Sequence, residues 1–196
     1  MKNNSLVKAN LAMMVVLGTL GFAGAANAAK STKAIVLGWS GTIPSAPAAG
    51  GDWKFVDILN PSVDYVPTVG NLVINNGVTA GTKSLDMEGF RFGIKATTTS
   101  LKASSTIGSY LAYGLTFSGL NATSGTAAAP SGTISVNGIP VGVGAANAVT
   151  VSTIGSTAVT EAVPMNVTGK GTLPDKSYSA GDSVNVSATL MFTAEV

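Results

Sequence analysis

The tightest constraint on the fold lies at the end of the chain. From residue 184 onward, Val184, Val186, Ala188, Leu190, Phe192, Ala194 and Val196 alternate with Asn185, Ser187, Thr189, Met191, Thr193 and Glu195. A period of two is the pattern of a β-strand with one buried face, whereas a helix buries residues at a spacing near 3.6. A pairing slip of one residue would turn every one of those apolar side chains to the opposite face, so the strand's register has to be strongly specified. A strand of this kind needs a second layer of structure to cover it.

Comparable alternation recurs upstream. Residues 53–57, 72–75, 85–96, 110–117, 133–136, 149–153 and 164–168 read as further strands. Between them stand turn-forming sequences: Asn60-Pro61, Asn75-Asn76-Gly77, Val136-Asn137-Gly138 and Pro174-Asp175;. No segment carries convincing helical periodicity, so the expectation is an all-β chain forming a β-sandwich with little helix. Residues 121–131 are small or polar, and residues 141–148 are rich in Gly and Ala. Both are expected to be surface loops.

The first 28 residues read as a secretory signal. Lys2 and Lys8 form a basic start, an apolar run opens at Leu11, and Ala26-Asn27-Ala28 is the small-residue pattern at which signal peptidase cuts;. Gly18, Thr19, Gly21 and Gly24 interrupt the run before it reaches the length of a spanning helix. The expected mature chain therefore begins at Ala29 and fits one domain with a sizeable core. Without Lys2 and Lys8 it holds nine basic and nine acidic residues. A neutral, charge-poor chain offers nothing to nucleic acid and suits a protein packed against other molecules.

Chemistry-bearing residues are sparse. There is no Cys, so disulfides contribute nothing, and no His, which removes Ser-His-Asp triads and His-metal sites;. Asp86 and Glu88 stand two apart on a strand and so share a face, but Lys83 and Arg91 nearby make solvated surface charge the better account. Gly142-Val143-Gly144 lacks the strand-then-helix context of a phosphate loop. The sequon-like Asn121, Asn166 and Asn185 mean little if the host is bacterial;. Trp39, Trp53, Tyr65, Tyr110 and Tyr113 could form a sugar platform, although core packing accounts better for most of them. No enzyme activity, cofactor or metal is expected.

Directly after the expected cleavage site the chain reads Ala29-Lys30-Ser31-Thr32-Lys33-Ala34-Ile35-Val36-Leu37-Gly38-Trp39. Ile35, Leu37 and Trp39 share one face of a strand at a free terminus, and three large apolar side chains there need a partner, in the same domain or in another molecule. The segment Gly38-Trp39-Ser40-Gly41-Thr42-Ile43-Pro44-Ser45-Ala46-Pro47, followed by Trp53-Lys54-Phe55-Val56, resembles the mature start of the major pilins of chaperone-usher fimbriae. The similarity is to the coli surface antigen five and seven type of enterotoxigenic Escherichia coli. It covers both ends of the chain well and the middle loosely.

That resemblance implies an incomplete immunoglobulin-like β-sandwich over residues 42–196, with residues 29–41 as an N-terminal donor-strand extension. Ala34, Ile35, Val36, Leu37 and Trp39 would be the donor strand that fills a neighbour's groove. The C-terminal strand, with Val184, Val186, Leu190, Phe192 and Val196, would flank the groove and face the chaperone before assembly. The implied partners are identical subunits, a periplasmic chaperone, an outer-membrane usher and a minor or tip pilin, with a host-cell glycan or protein as a further possibility. The implied location is the periplasm during assembly and then the cell-surface fimbria, where the subunit supports adhesion to host epithelium. The alternative within the same resemblance is a minor or tip adhesin that grips a host receptor itself. An exported hydrolase or sugar-binding module is a more distant alternative.

Overall fold

The computed structural model describes residues 30–39, 52–123 and 128–196, with the side chains of the first stretch described at residues 31–35. Eleven strands account for most of it. They are β1 (Lys30–Trp39), β2 (Trp53–Val56), β3 (Leu72–Asn76), β4 (Lys83–Ala96), β5 (Thr106–Leu111), β6 (Thr116–Ser118), β7 (Ser131–Val136), β8 (Ile139–Pro140), β9 (Val149–Thr153), β10 (Val163–Leu173) and β11 (Asn185–Glu195). A single 3-10 turn at Ala145–Asn147 is the nearest thing to a helix among the described residues.

The strands form an all-β sandwich of two antiparallel sheets. One runs β1-β11-β5-β9, with β6 also pairing β11. The other runs β2-β4-β10-β7-β8, with β3 also pairing β4. Each sheet hangs on a long strand that serves two shorter ones along its length. On β4, residues 83–87 pair with β3 and residues 93–96 with β2. On β11, residues 185–187 pair with β6 and residues 190–193 with β5.

Alternation puts the apolar residues between the sheets. Along β11 the buried positions are Val186, Ala188, Leu190, Phe192 and Ala194, as the period of two requires;. On β4 the phase changes: Leu85 and Met87 are buried at odd numbers, then Phe90, Phe92 and Ile94 at even ones. Between them the pairing with β10 slips, Val167 facing Phe90 and Gly169 facing Met87. Glu88 and Gly89 thus stand opposite Thr168 alone, a bulge that keeps both halves of β4 facing the core. At the centre, Phe55, Phe92 and Phe192 meet pairwise edge-on with centroids 5.3 to 5.7 Å apart, joining β2 and β4 to β11 across the sandwich. Trp53 meets Phe55 in the same way at 5.4 Å.

The Asn137-Gly138 signal makes a two-residue hairpin between β7 and β8, Val136 facing Ile139. Both central residues have positive φ, 50° and 80°, as a type I′ turn demands;. Asn137 also accepts a bond from the Asn166 N–H at 2.8 Å and donates to the Val151 carbonyl at 3.0 Å, so the turn stitches β10 to β9.

The strand expected at residues 110–117 is two strands, β5 ending at Leu111 and β6 starting at Thr116, with Tyr113 exposed in the turn between them. The loop expected at residues 141–148 does carry no strand, but Val141 is buried in the core rather than at the surface.

Two core groups yield measurable consequences. Ser109 is wholly buried and its hydroxyl finds no hydrogen-bond partner. Leaving such a group unpaired costs about 1–3 kcal/mol, so Ser109→Ala is expected to stabilise the protein by about 1 kcal/mol in denaturant unfolding. Tyr65 packs against Phe92 at 5.0 Å, and burial, reinforced by Asp57, pushes its phenol up to about 12. Its folded value lies above the unfolded one, so its stabilising contribution is complete below pH 10 and is lost as pH rises towards 12;. An ultraviolet titration is expected to find one of the four tyrosines ionising near 12.

Candidate functional site at the paired chain ends

The two ends of the described chain lie side by side. β1 runs antiparallel to β11 over its whole length, from Lys30 opposite Glu195 to Trp39 opposite Val186. β1 is the edge of its sheet, so β11 has β5 and β6 on one side and β1 on the other. Residues directly opposite in a sheet project from the same face. The buried β11 residues Ala194, Phe192 and Leu190 are therefore matched by Ser31, Lys33 and Ile35, and the register continues to Leu37 opposite Ala188 and Trp39 opposite Val186.

Ile35 is 1% exposed and belongs to the hydrophobic core, whereas Thr32, on the other face, is exposed. Ala34 is half-buried, opposite Met191. Val36, Leu37 and Trp39 hold backbone positions in the strand, opposite Thr189, Ala188 and Val186. Their side chains, the expected signal segment and residues 40–51 lie outside the described residues. β11 covers the expected C-terminal strand, with Val184 and Val196 flanking it, half-buried and packed against the core.

The first part of β1 also reaches the opposite sheet. The Lys33 ammonium donates to the Trp53 carbonyl oxygen and stands 5.1 Å from the centre of the Trp53 ring. The Trp53 indole N–H donates to the Ser31 hydroxyl. Burial pushes the Lys33 ammonium below the usual lysine range, and Asp52 acts in the opposite direction. β1 thus closes the open side of the sandwich: backbone pairing ties it to β11, and two polar side chains tie it to β2. At the far end of β11, Glu195 and Lys102 approach to 3.9 Å, and the Lys102 N–H donates to the Glu195 carbonyl.

Asp86 and Glu88 do share the outer face of β4, but each has ordinary work there. Asp86 accepts from the Asn75 amide at 3.2 Å, and Glu88 accepts from the Asn71 N–H at 2.7 Å. Of the five aromatic residues singled out in the sequence, the side chain of Trp39 lies outside the described residues; of the other four, Trp53 is fully buried, Tyr65 and Tyr110 are half-buried and Tyr113 is exposed. Among the described residues no group of three or more His, Cys, Asp or Glu is placed to hold a metal ion, and no helix is long and apolar enough to cross a membrane. The Ser31–Lys33–Trp53 contact was not foreseen from the sequence. The signal available was the polar start of an otherwise apolar inward face. Comparison with protein-family models, with curated proteins and with solved structures found no match.

Truncating Ile35 removes the one apolar side chain of β1 described in the core. Ile35→Ala is expected to cost about 2–4 kcal/mol in denaturant unfolding, the range for a buried large-to-small change. Thr32→Ala, on the exposed face, is expected to change stability by less than about 0.5 kcal/mol.

Proposed function

We propose that the chain is a structural subunit of a bacterial surface fibre, the shaft pilin of a chaperone-usher fimbria, and that β1 is the strand one copy lends to the next. The observation that carries this is the place of β1: it is an edge strand whose inward face enters the core beside the C-terminal strand. Removing it leaves β11 without a neighbour along one side and the core open at Ile35.

A strand in that position serves equally well whichever molecule supplies it. Exchange of an identical element between copies preserves every contact and is a low-cost route to assembly.

The layer order also fits. The sheet order β2-β4-β10-β7 corresponds to the A-B-E-D sheet of an immunoglobulin-type sandwich, and β5-β11 to its C-F pair;. β1 then occupies the place of the last strand, G;. Burial of Ile35 contributes about 1.5–3 kcal/mol, and each backbone hydrogen bond about 0.5–1.5 kcal/mol. Withdrawal breaks these contacts together, so such a joint lasts without covalent links.

Under this reading the precursor is exported by residues 1–28, held by a periplasmic chaperone along β11, passed to an outer-membrane usher and added to a homopolymer that carries a minor or tip pilin. Deleting residues 30–40 is expected to abolish fibres while leaving a chaperone-bound subunit, and Leu37→Asp is expected to act alike because a charge there cannot be buried cheaply. Unchanged fibres in the deletion mutant overturn the proposal. Immunogold electron microscopy is expected to label filaments along their length; label confined to the tip favours an adhesin instead.

A further inference from the structure

We infer that Ser31 and Lys33 of β1, together with Trp53 of β2, form a polar register lock that selects which strand, and which alignment of it, the open side of the sandwich accepts. This rests on the proposed function only for the claim that the strand comes from another copy; the lock itself is made of contacts described within one chain.

β1 is a poor strand for a purely apolar groove. Its inward positions begin Ser31, Lys33, Ile35, and the first two are polar. Burial opposes the charge of a half-buried lysine, so its contacts have to offset that cost;. What it gains is position. The ammonium meets the carbonyl and the ring face of Trp53, and the hydroxyl two residues earlier accepts the indole N–H of the same residue;. Two polar groups at a fixed spacing meet two polar groups of one fully buried tryptophan.

Slipping the strand breaks this match in both directions. A shift of two residues that keeps the same face inward moves Lys33 opposite Leu190, into the place of Ile35, which is 1% exposed and belongs to the hydrophobic core. That shift buries an unpaired ammonium. The opposite shift sets Ile35 opposite Phe192, against the Trp53 carbonyl, and carries Lys33 past it to Ala194. A shift of one residue turns Thr32 and Ala34 inward and the lysine out. Backbone pairing alone does not distinguish the two-residue shifts, since the ladder and the alternation are both restored. The polar pair distinguishes them, as a single polar residue at a coiled-coil core position does for helices.

The chain has no cysteine, so register can be read by pairwise cross-linking in the full-length protein. Thr32 faces Thr193, and two-residue shifts set it opposite Met191 or Glu195. Paired variants T32C/T193C, T32C/M191C and T32C/E195C are closed with a short bifunctional thiol reagent. With Lys33 present, the Thr193 pairing is expected to exceed each shifted pairing at least tenfold. Adding Lys33→Met is expected to raise the shifted products to within about threefold of it, and Lys33→Arg to keep the original preference. Ser31→Ala combined with Trp53→Phe serves as the milder second disruption and is expected to raise the shifted products as well.

Persistence of the single register in both Lys33→Met and the double variant overturns the lock, and so do shifted products already abundant beside Lys33. The size of the cross-linked product reports separately on the proposed function. Ladders of copies mean exchange between molecules, and linked monomers mean closure within one chain. Either result leaves the register ratio to decide the lock.

Discussion

Everything in the molecule depends on covering the inner face of β11. It supplies Phe192 and Leu190, both wholly buried, to a core that also draws Phe55 and Phe92 from the opposite sheet. β5 and β6 divide one of its sides between them, and β1 takes the whole of the other. The sandwich is therefore closed on one flank by short strands that follow from the chain's own course. On the other it is closed by a strand from the far end of the sequence. That asymmetry is what the proposed exchange of β1 between copies would use.

Where burial follows a clean period of two, the strands were legible residue by residue. Residues 149–153 were read with the bounds of β9, and β11 differs from the expected run by one residue at each end. Local pattern misleads where glycine or a turn hides inside an apolar run. β10 continues to Leu173 through Gly169, Lys170 and Gly171, which look like a loop in sequence. A side chain at Gly169 would meet Met87 Sδ at 2.5 Å and Ile134 Cδ1 at 2.8 Å, so this glycine marks close packing and not a turn;. The strand at residues 110–117 failed for the converse reason. Leu111, Leu115 and Phe117 look continuous, yet residues 112–115 turn the chain from β5 into β6.

The candidate site was legible in part for the same physical reason. Apolar residues that alternate along a strand have to be covered, so Ile35 could be picked out with no knowledge of what it touches. Ser31 and Lys33 could not, because a polar residue at the start of a strand ordinarily faces water. Their role depends on Trp53, more than a dozen residues further along and on the other sheet, and no local pattern links them. Contacts of that kind follow from topology, which alternation constrains only as far as two layers.

The other sheet edges are blunted by devices that discourage pairing with further strands. β8 is two residues long and ends in Pro140, which has no N–H to offer, and β2, β3 and β9 are four or five residues each;. β11 is eleven residues long and has no proline. Its pairing to β1 runs without a register shift, unlike those of β4 to β10 and β5 to β9. Were β1 withdrawn, β11 would become an edge, a liability if left exposed in solution and an advantage if always occupied in turn;. Keeping it long and regular makes sense when its occupant is chosen by something other than the ladder itself. Ser31 and Lys33 supply that choice at one end of β1, and Ile35 supplies the burial that holds it.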